Sequence, residues 1–376
     1  MLDSIDIEIL LTIQKNPLAN LNEIANQIGM SISNTSARIN KLEHEQKAFT
    51  RVHADYNLSA LELEFKDYFV EVESKKALNL LEDKFSYYHP YLSFRDRCSG
   101  FSNGLFMQFR VPMNSNDYLE DIFDILQKKS IVSKYWHIKR DPKEIIIRNN
   151  SALDYWDKNK NQWIFDWELW KENFNNTSSN SQPMVKSDSI LNQLSELDIK
   201  LLVQIASDAR RKNVDMMKNI GIGNESGNAQ KISRRVRFLK ENAIANYRLF
   251  LNTDVFDLFH STLIHGQCEK STARKIRNYL MDNQNTSSSG KVKFPFPCFF
   301  IITEEGFLWF IRSPPAEVSY ILDFIWDNCA NYNLYLLSYK YSDLYRLWDQ
   351  TFDASKHSWK SDQNFMIDNV IKQMFK

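Results

Sequence analysis

The sequence is poor in the residues that form tight turns and metal sites. Only 9 glycines and 9 prolines occur among 376 residues, which argues against a glycine-loop nucleotide-binding fold and favours long regular elements. Its 4 cysteines show no CxxC pair and no zinc-ligand spacing, so we expect buried, reduced thiols and neither a metal nor a cofactor. They are Cys98, Cys268, Cys298 and Cys329.

Net charge and long apolar runs are missing as well. Lys plus Arg and Asp plus Glu both number 47, so a widely basic surface of the kind that compacts nucleic acid is excluded. No apolar run approaches the ~20 residues that cross a bilayer, and the first residues lack the pattern of a secretory signal. With 43% hydrophobic and 25% charged residues, the chain is expected to form about two to three globular domains in the cytoplasm, with no membrane partner.

The sequence contains an internal repeat. Ile5–Ile13 returns as Leu197–Ile205, and Arg38–Leu42 is answered by Arg235–Leu239. The second copy carries extra residues in a predicted turn at 223–227, and a low-complexity loop is predicted at 284–290. Between the copies, the Ser- and Asn-rich segment 173–189 is typical of a flexible linker. The pattern therefore predicts two copies of one unit in a single chain.

Each copy begins with three short amphipathic helices. In the first copy, apolar positions at helical spacing predict a helix from Ser4 to Lys15. Asn20 and Glu23 form a capping box for a second helix that Gly29 closes, and Ser31 caps a third. This order predicts a helix-turn-helix. The outward face of its third helix, which we expect to contact DNA, carries Ser33, Asn34, Ala37, Asn40 and Lys41.

The third helix of the second copy is cationic on its outward face. Residues 1–60 hold 5 basic and 7 acidic residues, whereas residues 195–254 hold 11 basic and 7 acidic residues. A basic helix is often only a solvated face, but the helix-turn-helix context favours a phosphate-binding surface. The DNA-contacting candidates in this copy are Lys231, Arg234, Arg235, Arg237 and Lys240. Arg38 and Arg235 occupy equivalent positions, where each could instead pair with an acidic neighbour inside its own unit.

A βαββαβ pattern follows each helical unit and predicts a ferredoxin-like antiparallel sheet with helices on one face. In the first copy, the predicted strands are Lys66–Glu73, Tyr91–Arg97, Leu105–Val111 and Val132–Ile138, and the predicted helices are Lys75–Tyr88 and Asn116–Lys128. In the second copy, the predicted strands are Leu258–His265, Pro297–Thr303, Phe307–Arg312 and Asn333–Tyr339, and the predicted helices are Ser271–Asp282 and Pro315–Cys329.

Both copies end in an aromatic tail. Tyr155-Trp156-Asp157 is matched by Leu347-Trp348-Asp349 in the second copy. A tryptophan cluster could stack on bases, but packing against a sheet face is the more common role. The fold class is therefore α+β. The predicted boundaries are 1–60 for the first helix-turn-helix, 65–172 for its ferredoxin-like domain and tail, 173–189 for the linker, 190–254 for the second helix-turn-helix and 255–376 for the second ferredoxin-like domain and tail.

The helical units resemble the Lrp/AsnC family of transcription regulators, also called feast/famine regulatory proteins. The resemblance rests on Leu2–Leu10, Leu21–Ser31, Ser36–Glu43 and, in the second copy, Asp208–Arg211. It implies a winged helix-turn-helix joined to a βαββαβ domain that binds effectors and oligomerises. Because family members are usually single copies, the tandem implies a pseudo-dimer built into one chain, and the Asn- and Lys-rich usage suggests an archaeal version.

Three functions are compatible with these patterns. The first is a sequence-specific regulator that binds double-stranded DNA through two non-identical heads, with no enzyme activity and with a small-molecule effector. The resemblance implies an effector site around the glycine hairpin between the second and third strands. Here that hairpin is longer at Ser99–Gly104 and shorter at Glu305-Gly306, which argues against an amino acid as the effector. The second is an enzyme, because siroheme decarboxylases resemble the family in fold and consist of two related halves. Its candidate residues would be His89, Arg95, Arg97, His137, His260 and His265. The third, a nonspecific chromatin-like binder, conflicts with the zero net charge. Pseudo-dimers could also associate further.

Overall fold

A computed structural model describes residues 2–184, 186–223, 227–285 and 292–376, with the backbone alone at 282–285. Residues 224–226 of the predicted turn at 223–227 and most of the predicted loop at 284–290 lie outside these residues. The described chain is α+β and consists of two copies of a helical head followed by a ferredoxin-like domain, which together form a pseudo-dimer within one polypeptide. None of the described helices has the length and apolarity to cross a bilayer.

The first head consists of α1 (Ser4–Lys15), α2 (Leu21–Ile28) and α3 (Ile32–Asn40). The predicted caps are present: the Asn20 side chain accepts from the Glu23 amide at 3.0 Å, and Gly29 adopts φ 68°, which a residue without Cβ tolerates. The second head consists of α8 (Glu196–Ser207), α9 (Asn213–Asn219) and α10 (Asn228–Asn242). The three-helix prediction is confirmed in both heads.

A long strand leaves each head as its wing, β1 (Phe49–Tyr56) and β9 (Ile244–Leu251). The two wings pair antiparallel, with His53 opposite Arg248 at the centre. This two-stranded ribbon, called here the wing ribbon, joins the heads to each other. One of its faces packs on the helices through residues such as Val52 and Leu249, while the other faces the sheet domains.

The first sheet domain confirms the βαββαβ order. Its elements are β2 (Leu63–Glu71), α4 (Lys75–Leu80), a π-turn at Leu81–Phe85, α5 (Ser86–Tyr88), β3 (Leu92–Gly100), β4 (Gly104–Pro112), α6 (Tyr118–Lys128) and β5 (Lys134–Ile138). The spatial strand order is β5-β2-β4-β3. The predicted strands shift by a few residues, because β-ladder pairing continues past the apolar core of each strand.

The second sheet domain repeats this arrangement. Its elements are β10 (His260–Gln267), α11 (Lys270–Asn285), β11 (Cys298–Ile302), β12 (Gly306–Ser313), α12 (Val318–Asn328) and β13 (Asn331–Leu337), in the spatial order β13-β10-β12-β11. The two sheets are continuous, since β13 pairs with β3. At the other edge β6 (Ile147–Asn149) pairs with β11, and Arg140 forms a bridge with Thr303.

The combined sheet therefore closes on itself and encloses a second core between the copies. Phe69 stacks on Tyr335 with ring centroids 4.0 Å apart, and Phe94 meets Phe310 at 6.3 Å. The helices cover the outer face, where each domain has its own larger core. Burial of aromatic side chains from both copies in one interior makes the pseudo-dimer a single cooperative unit.

The aromatic tails cross from one copy to the other. The first tail contains β7 (Trp156–Asp157), β8 (Gln162–Trp163) and α7 (Trp167–Asn175); the second contains β14 (Asp343–Leu344), β15 (Phe352–Asp353), β16 (Ser358–Trp359), a π-turn at Asn364–Asp368 and α13 (Asn369–Met374). The indole of Trp163 donates to the Phe256 carbonyl at 2.7 Å, and that of Trp359 donates to the Leu61 carbonyl at 2.6 Å. The predicted match of Trp156 to Trp348 is wrong, because the hairpins align Trp156 with Phe352. Trp163 and Trp359, whose indoles donate across the copies, are both buried.

The connecting segment is held in place along much of its length, which corrects the expectation of a flexible linker. Arg277 donates to the Asn180 carbonyl at 3.0 Å, and Asn278 donates to the Ser178 carbonyl at 2.9 Å. Arg277 is fully buried and forms an ion pair with buried Glu144. The polar composition of the segment supplies backbone and side-chain partners for these groups, and for this reason it is ordered here without a core of its own.

The cysteines differ partly from the expectation of buried thiols. Cys98 and Cys298 are buried, and burial raises the pKa of each thiol to about 12. Cys268 and Cys329 are only half-buried and lie side by side; a hydrogen bond from the Cys329 thiol lowers the pKa of Cys268. The described residues contain no group of three or more His, Cys, Asp or Glu side chains suited to holding a metal.

Candidate functional site: an arginine chamber and two helical heads

A cavity of about 390 Å³ lies between the wing ribbon and the closed sheet. Residues from both copies line it. Strands β1, β2, β3, β4 and β6 of the first copy and β9, β11 and β12 of the second all reach this place. We call it the arginine chamber after four of its lining residues. These are Arg110, Arg148, Arg248 and Arg312.

The chamber has one carboxylate among its described lining residues. Arg248 donates from Nε and Nη2 to Asp55 at 2.7 and 2.8 Å. The carboxylate is buried, which favours its neutral form, but the adjacent Arg248 and Arg148 lower its pKa well below the ordinary value. One anion thus faces four arginines, and the interior remains strongly positive.

Several buried polar atoms of the chamber have no protein partner. They include Nε of Arg110, Nε of Arg312 and Nδ1 of His53. Burial lowers the pKa of Arg312 and Arg110, and it lowers the pKa of Arg148 to about 10. Buried donors without acceptors are uncommon in folded proteins and cost free energy, so these atoms mark a place where a ligand would supply the acceptors.

His53 is the titratable neutral group at the centre of the wing ribbon. Burial lowers its pKa to about 3; Asp55 acts in the opposite direction, and Arg248, Arg346 and Arg51 add to the lowering. Its ring stacks on Phe250 with centroids 4.9 Å apart. The histidine is therefore an uncharged imidazole near neutral pH, and an anion placed in the chamber would raise its pKa.

The sequence patterns do not predict the arginine chamber. None of the residues proposed for an enzyme, namely His89, Arg95, Arg97, His137, His260 and His265, lines it. Arg95 and Arg97 instead pair with Glu82 on the outer face of the sheet, and His89 is buried against Phe85 and Phe109. One signal was available: Arg110 and Arg312 lie at the same distance along their strands from the glycines that open them, Gly104 and Gly306.

The proposed DNA-contacting residues of the first head all lie on one exposed face. Ser33, Asn34, Ala37, Asn40 and Lys41 are exposed along α3 and the turn that follows it. Arg38 points the other way and donates to Asp6 at 2.7 Å and to Asp3 at 2.8 Å. This arginine therefore stabilises the head.

The proposed residues of the second head divide into two groups. Lys231, Arg234 and Arg237 are exposed along α10. Arg235 donates to the buried Asp198 at 2.7 Å, and Lys240 donates to the Ala209 carbonyl at 2.9 Å. The exposed group forms a cationic face, whereas the other two side chains are occupied inside the head.

Comparisons with known proteins agree with this architecture. Residues 2–45 match a family model described as winged helix-turn-helix DNA-binding. A crystal structure of the siroheme decarboxylase NirDL aligns with 99% of this chain and 100% of that chain, with a TM-score of 0.55 and 14% sequence identity. The AsnC family transcriptional regulator from Agrobacterium tumefaciens aligns with 41% of this chain and 99% of that chain, with a TM-score of 0.33 and 18% identity. No curated protein sequence matches the chain.

The full-length alignment corrects one prediction. The sequence pattern predicts that the chain is not an enzyme, whereas a solved structure that shares its fold from end to end is an enzyme. The helix-turn-helix expectation is confirmed by the family model. The chain therefore carries a winged helix-turn-helix DNA-binding domain at residues 2–45 and is similar in fold, over nearly its whole length, to a siroheme decarboxylase.

Proposed function

We propose that the arginine chamber binds a tetrapyrrole that carries several carboxylates, of the siroheme class, and that the chain removes carboxyl groups from it. The observation that carries this proposal is the convergence of Arg110, Arg148, Arg248 and Arg312 on one cavity, whose described lining residues include one carboxylate. Planar guanidinium groups pair with carboxylates in a bidentate way. The shared fold with a siroheme decarboxylase supports the choice of ligand class.

The chemistry requires only binding and a proton. When an acetate side chain loses carbon dioxide, the bond between its methylene and its carboxylate breaks, and the electron pair left on the methylene takes up a proton to give a methyl group. Arginines that hold the remaining carboxylates would fix the ring. His53 lines the chamber with Nδ1 unpartnered, and it would gain a proton when the anionic ligand neutralises the surrounding arginines.

Titration of the protein with siroheme, followed by the change in its absorbance band, tests the binding step. We expect saturable binding, and Arg312→Gln should weaken it about tenfold or more, because a charge-assisted hydrogen bond is worth about 1.5–3 kcal/mol. Arg237→Gln on the exposed face of α10 is the matched control and should leave the affinity unchanged. The absence of a spectral change at any protein concentration would contradict the proposal.

A second proposed function is sequence-specific DNA binding by the two heads. The exposed cationic face of Lys231, Arg234 and Arg237 and the exposed Asn/Ser face of α3 support it, together with the family match of the first head. Arginine suits guanine, and asparagine suits adenine. An operator for this chain would therefore be asymmetric, and the wing ribbon that joins the heads would set its half-site spacing.

Fluorescence anisotropy with the DNA upstream of the chain's own gene, against a scrambled duplex over a salt series, tests this function. Arg234→Ala/Arg237→Ala should weaken binding and reduce the salt slope by about 2, because each phosphate contact contributes about 0.9. Arg312→Gln also removes arginine charge, but inside the chamber, and it serves here as the control. Equal weak binding to both duplexes that the head variant leaves unchanged would exclude the regulator function.

The repeated order of elements supports a further proposal, that the chain arose by tandem duplication of a unit of the Lrp/AsnC type. The residue usage supports an archaeal source. In this scheme the chamber ligand takes the place of an amino-acid effector. A phylogeny in which the two copies join as sister branches within that family would support the duplication, and separate branches would contradict it.

A further inference from the structure

The two copies are related by an approximate twofold axis through the wing ribbon. The Asn57 amide donates to the Ala243 carbonyl at 2.8 Å, and the Asn252 amide donates to the Ala48 carbonyl at 2.9 Å. The twofold axis relates these two hydrogen bonds, so Asn57 is equivalent to Asn252 and Ala48 is equivalent to Ala243. The preceding residues are equivalent too, and Tyr56 of the first copy therefore corresponds to Leu251 of the second.

The tails extend this relation. β7 and β8 pair Trp156 with Trp163, and β15 and β16 pair Phe352 with Trp359 in the same way. Counting back from these hairpins, Tyr345 corresponds to Asn149 and Arg346 corresponds to Asn150. The sheet agrees, because β6 pairs with β11 as β14 pairs with β3.

The arginine chamber lies on this axis, since Arg110 and Arg312 both line it, and a twofold axis should extend it equally towards the two copies. It extends only towards the second copy, on the side called here the open half. Towards the first copy, in the closed half, a separate space of about 40 Å³ remains beside the 390 Å³ of the chamber. In the closed half the ring of Tyr56 lies 4.6 Å from the guanidinium carbon of Arg110. Tyr345 and Arg346 line the same small space.

The open half has smaller side chains at three of the equivalent positions. Leu251 replaces Tyr56, Asn149 replaces Tyr345, and Asn150 replaces Arg346. Arg110 and Arg312 are equivalent, and the Nε atom of neither has a protein partner. Three large side chains in the closed half thus account for the extension of the chamber towards the second copy alone.

We propose that these side chains make the pseudo-dimer a single-site protein: one multiply anionic ligand binds per chain, in the half bounded by Leu251, Asn150 and Arg312. Tyr56, Tyr345 and Arg346 close the other half. A space of about 40 Å³ holds little more than one water, so a second carboxylated ligand has no room there. The identity of the ligand rests on the proposed tetrapyrrole function, whereas the asymmetry rests on the side chains alone.

Isothermal titration with siroheme, and separately with citrate, tests the proposal on the full chain. Citrate is a small tricarboxylate that fits the open half whether or not a tetrapyrrole is the natural ligand. We expect a stoichiometry of one for each. Leu251→Tyr/Asn150→Arg, which copies the closed half into the open one, should weaken both about tenfold or more. Tyr56→Leu, in the closed half, is the matched control and should change the affinity for the first ligand less than threefold.

The outcomes separate the two proposals. Citrate binding once, with loss in Leu251→Tyr/Asn150→Arg and no siroheme binding, would retain the single open half and remove the tetrapyrrole function. Two equivalents per wild-type chain, or equal losses from the two variants, would overturn the single-site inference while leaving the tetrapyrrole function intact. Failure of the wild-type chain to bind either anion would overturn both. A thermal-unfolding curve for each variant confirms that it is folded before titration.

Discussion

Arg248 and Asp55 form a bidentate ion pair across the wing ribbon, with the guanidinium of one head's wing on the carboxylate of the other's. The pair joins the two copies at the roof of the arginine chamber. It also supplies the single carboxylate among the described lining residues, and it therefore competes with any anionic ligand for Arg248.

Asp55→Asn should destabilise the fold and strengthen anion binding. Removing one partner of a buried ion pair costs about 3–5 kcal/mol, while Arg248 becomes available to the ligand. Urea unfolding at pH 7 and citrate titration measure the two effects. Asp154→Asn, at an exposed position, is the control. A loss of affinity together with the loss of stability would show that Asp55 positions Arg248 for the ligand rather than competing for it.

The free energy of unfolding should fall as the pH falls from about 6.5 towards 3. The pKa of His53 is lowered to about 3 and that of His89 to about 3, in both cases chiefly by burial. Between these values and the ordinary pKa, the unfolded chain binds protons that the folded chain does not, at about 1.4 kcal/mol per pH unit for each histidine. The Asp55 contribution has the same sign but is lost only at lower pH, since its pKa lies below its ordinary value.

Chemical denaturation between pH 4 and pH 7 checks this slope, and His53→Gln should reduce it. A slope that is equal in the variant and in the wild-type chain would mean that His53 is accessible to protons in the folded state.

Ligand binding should take up protons near pH 5–6. An anion in the chamber offsets Arg248, Arg346 and Arg51, which hold the pKa of His53 down after burial. Calorimetric titration with citrate in buffers of different ionisation enthalpy measures the proton uptake, and His53→Gln removes it if this histidine is the group involved. The same uptake in His53→Gln would assign the proton to the ligand or to another residue.

Arg235→Ala should act on head stability and only indirectly on DNA affinity. Its Nε donates to Asp198, which is 1% exposed. The variant therefore leaves a buried carboxylate without its counter-ion, at a cost of about 3 kcal/mol. The salt slope of DNA binding should stay at the wild-type value, in contrast to Arg234→Ala/Arg237→Ala. A reduced slope in Arg235→Ala would mean that this side chain contacts phosphate.

Glu144→Gln should release the connecting segment. Glu144 forms ion pairs with Arg274 and the fully buried Arg277, and it accepts from Ser181 at 3.0 Å. Without the carboxylate, Arg277 is buried without an anion, and residues 176–184 lose their anchor. Limited proteolysis followed by mass spectrometry should show faster cleavage there, while cleavage elsewhere stays at the wild-type rate.

The sequence predicted local structure well because local signals determine it. The capping box of Asn20 and Glu23 and the positive φ of Gly29 follow from spacing alone. The glycine hairpin between Gly100 and Gly104 joined the expected strands. Arg38 and Arg235 were recognised as equivalent, and the structure pairs both with acids inside their heads.

The chamber could not be predicted in the same way, because its residues come from many strands of both copies. Arg148 and Arg248 are neighbours only after the wings pair and the sheet closes, and no periodicity in the sequence reports that closure. The aromatic tails were recognised, but the exchange between copies was not, since the Trp163 bond to Phe256 depends on the position of the whole second domain.

The exchanged tails affect the order in which the protein can be completed during synthesis. The first sheet domain receives its covering indole from Trp359, near the end of the chain. When a ribosome has synthesised only the first copy, Trp359 has not yet been made. The apolar surface that Trp359 covers on the first sheet domain therefore stays exposed until the second copy is synthesised. Pairings between such distant residues are slow to form, so we expect the first copy to depend on chaperones until translation ends.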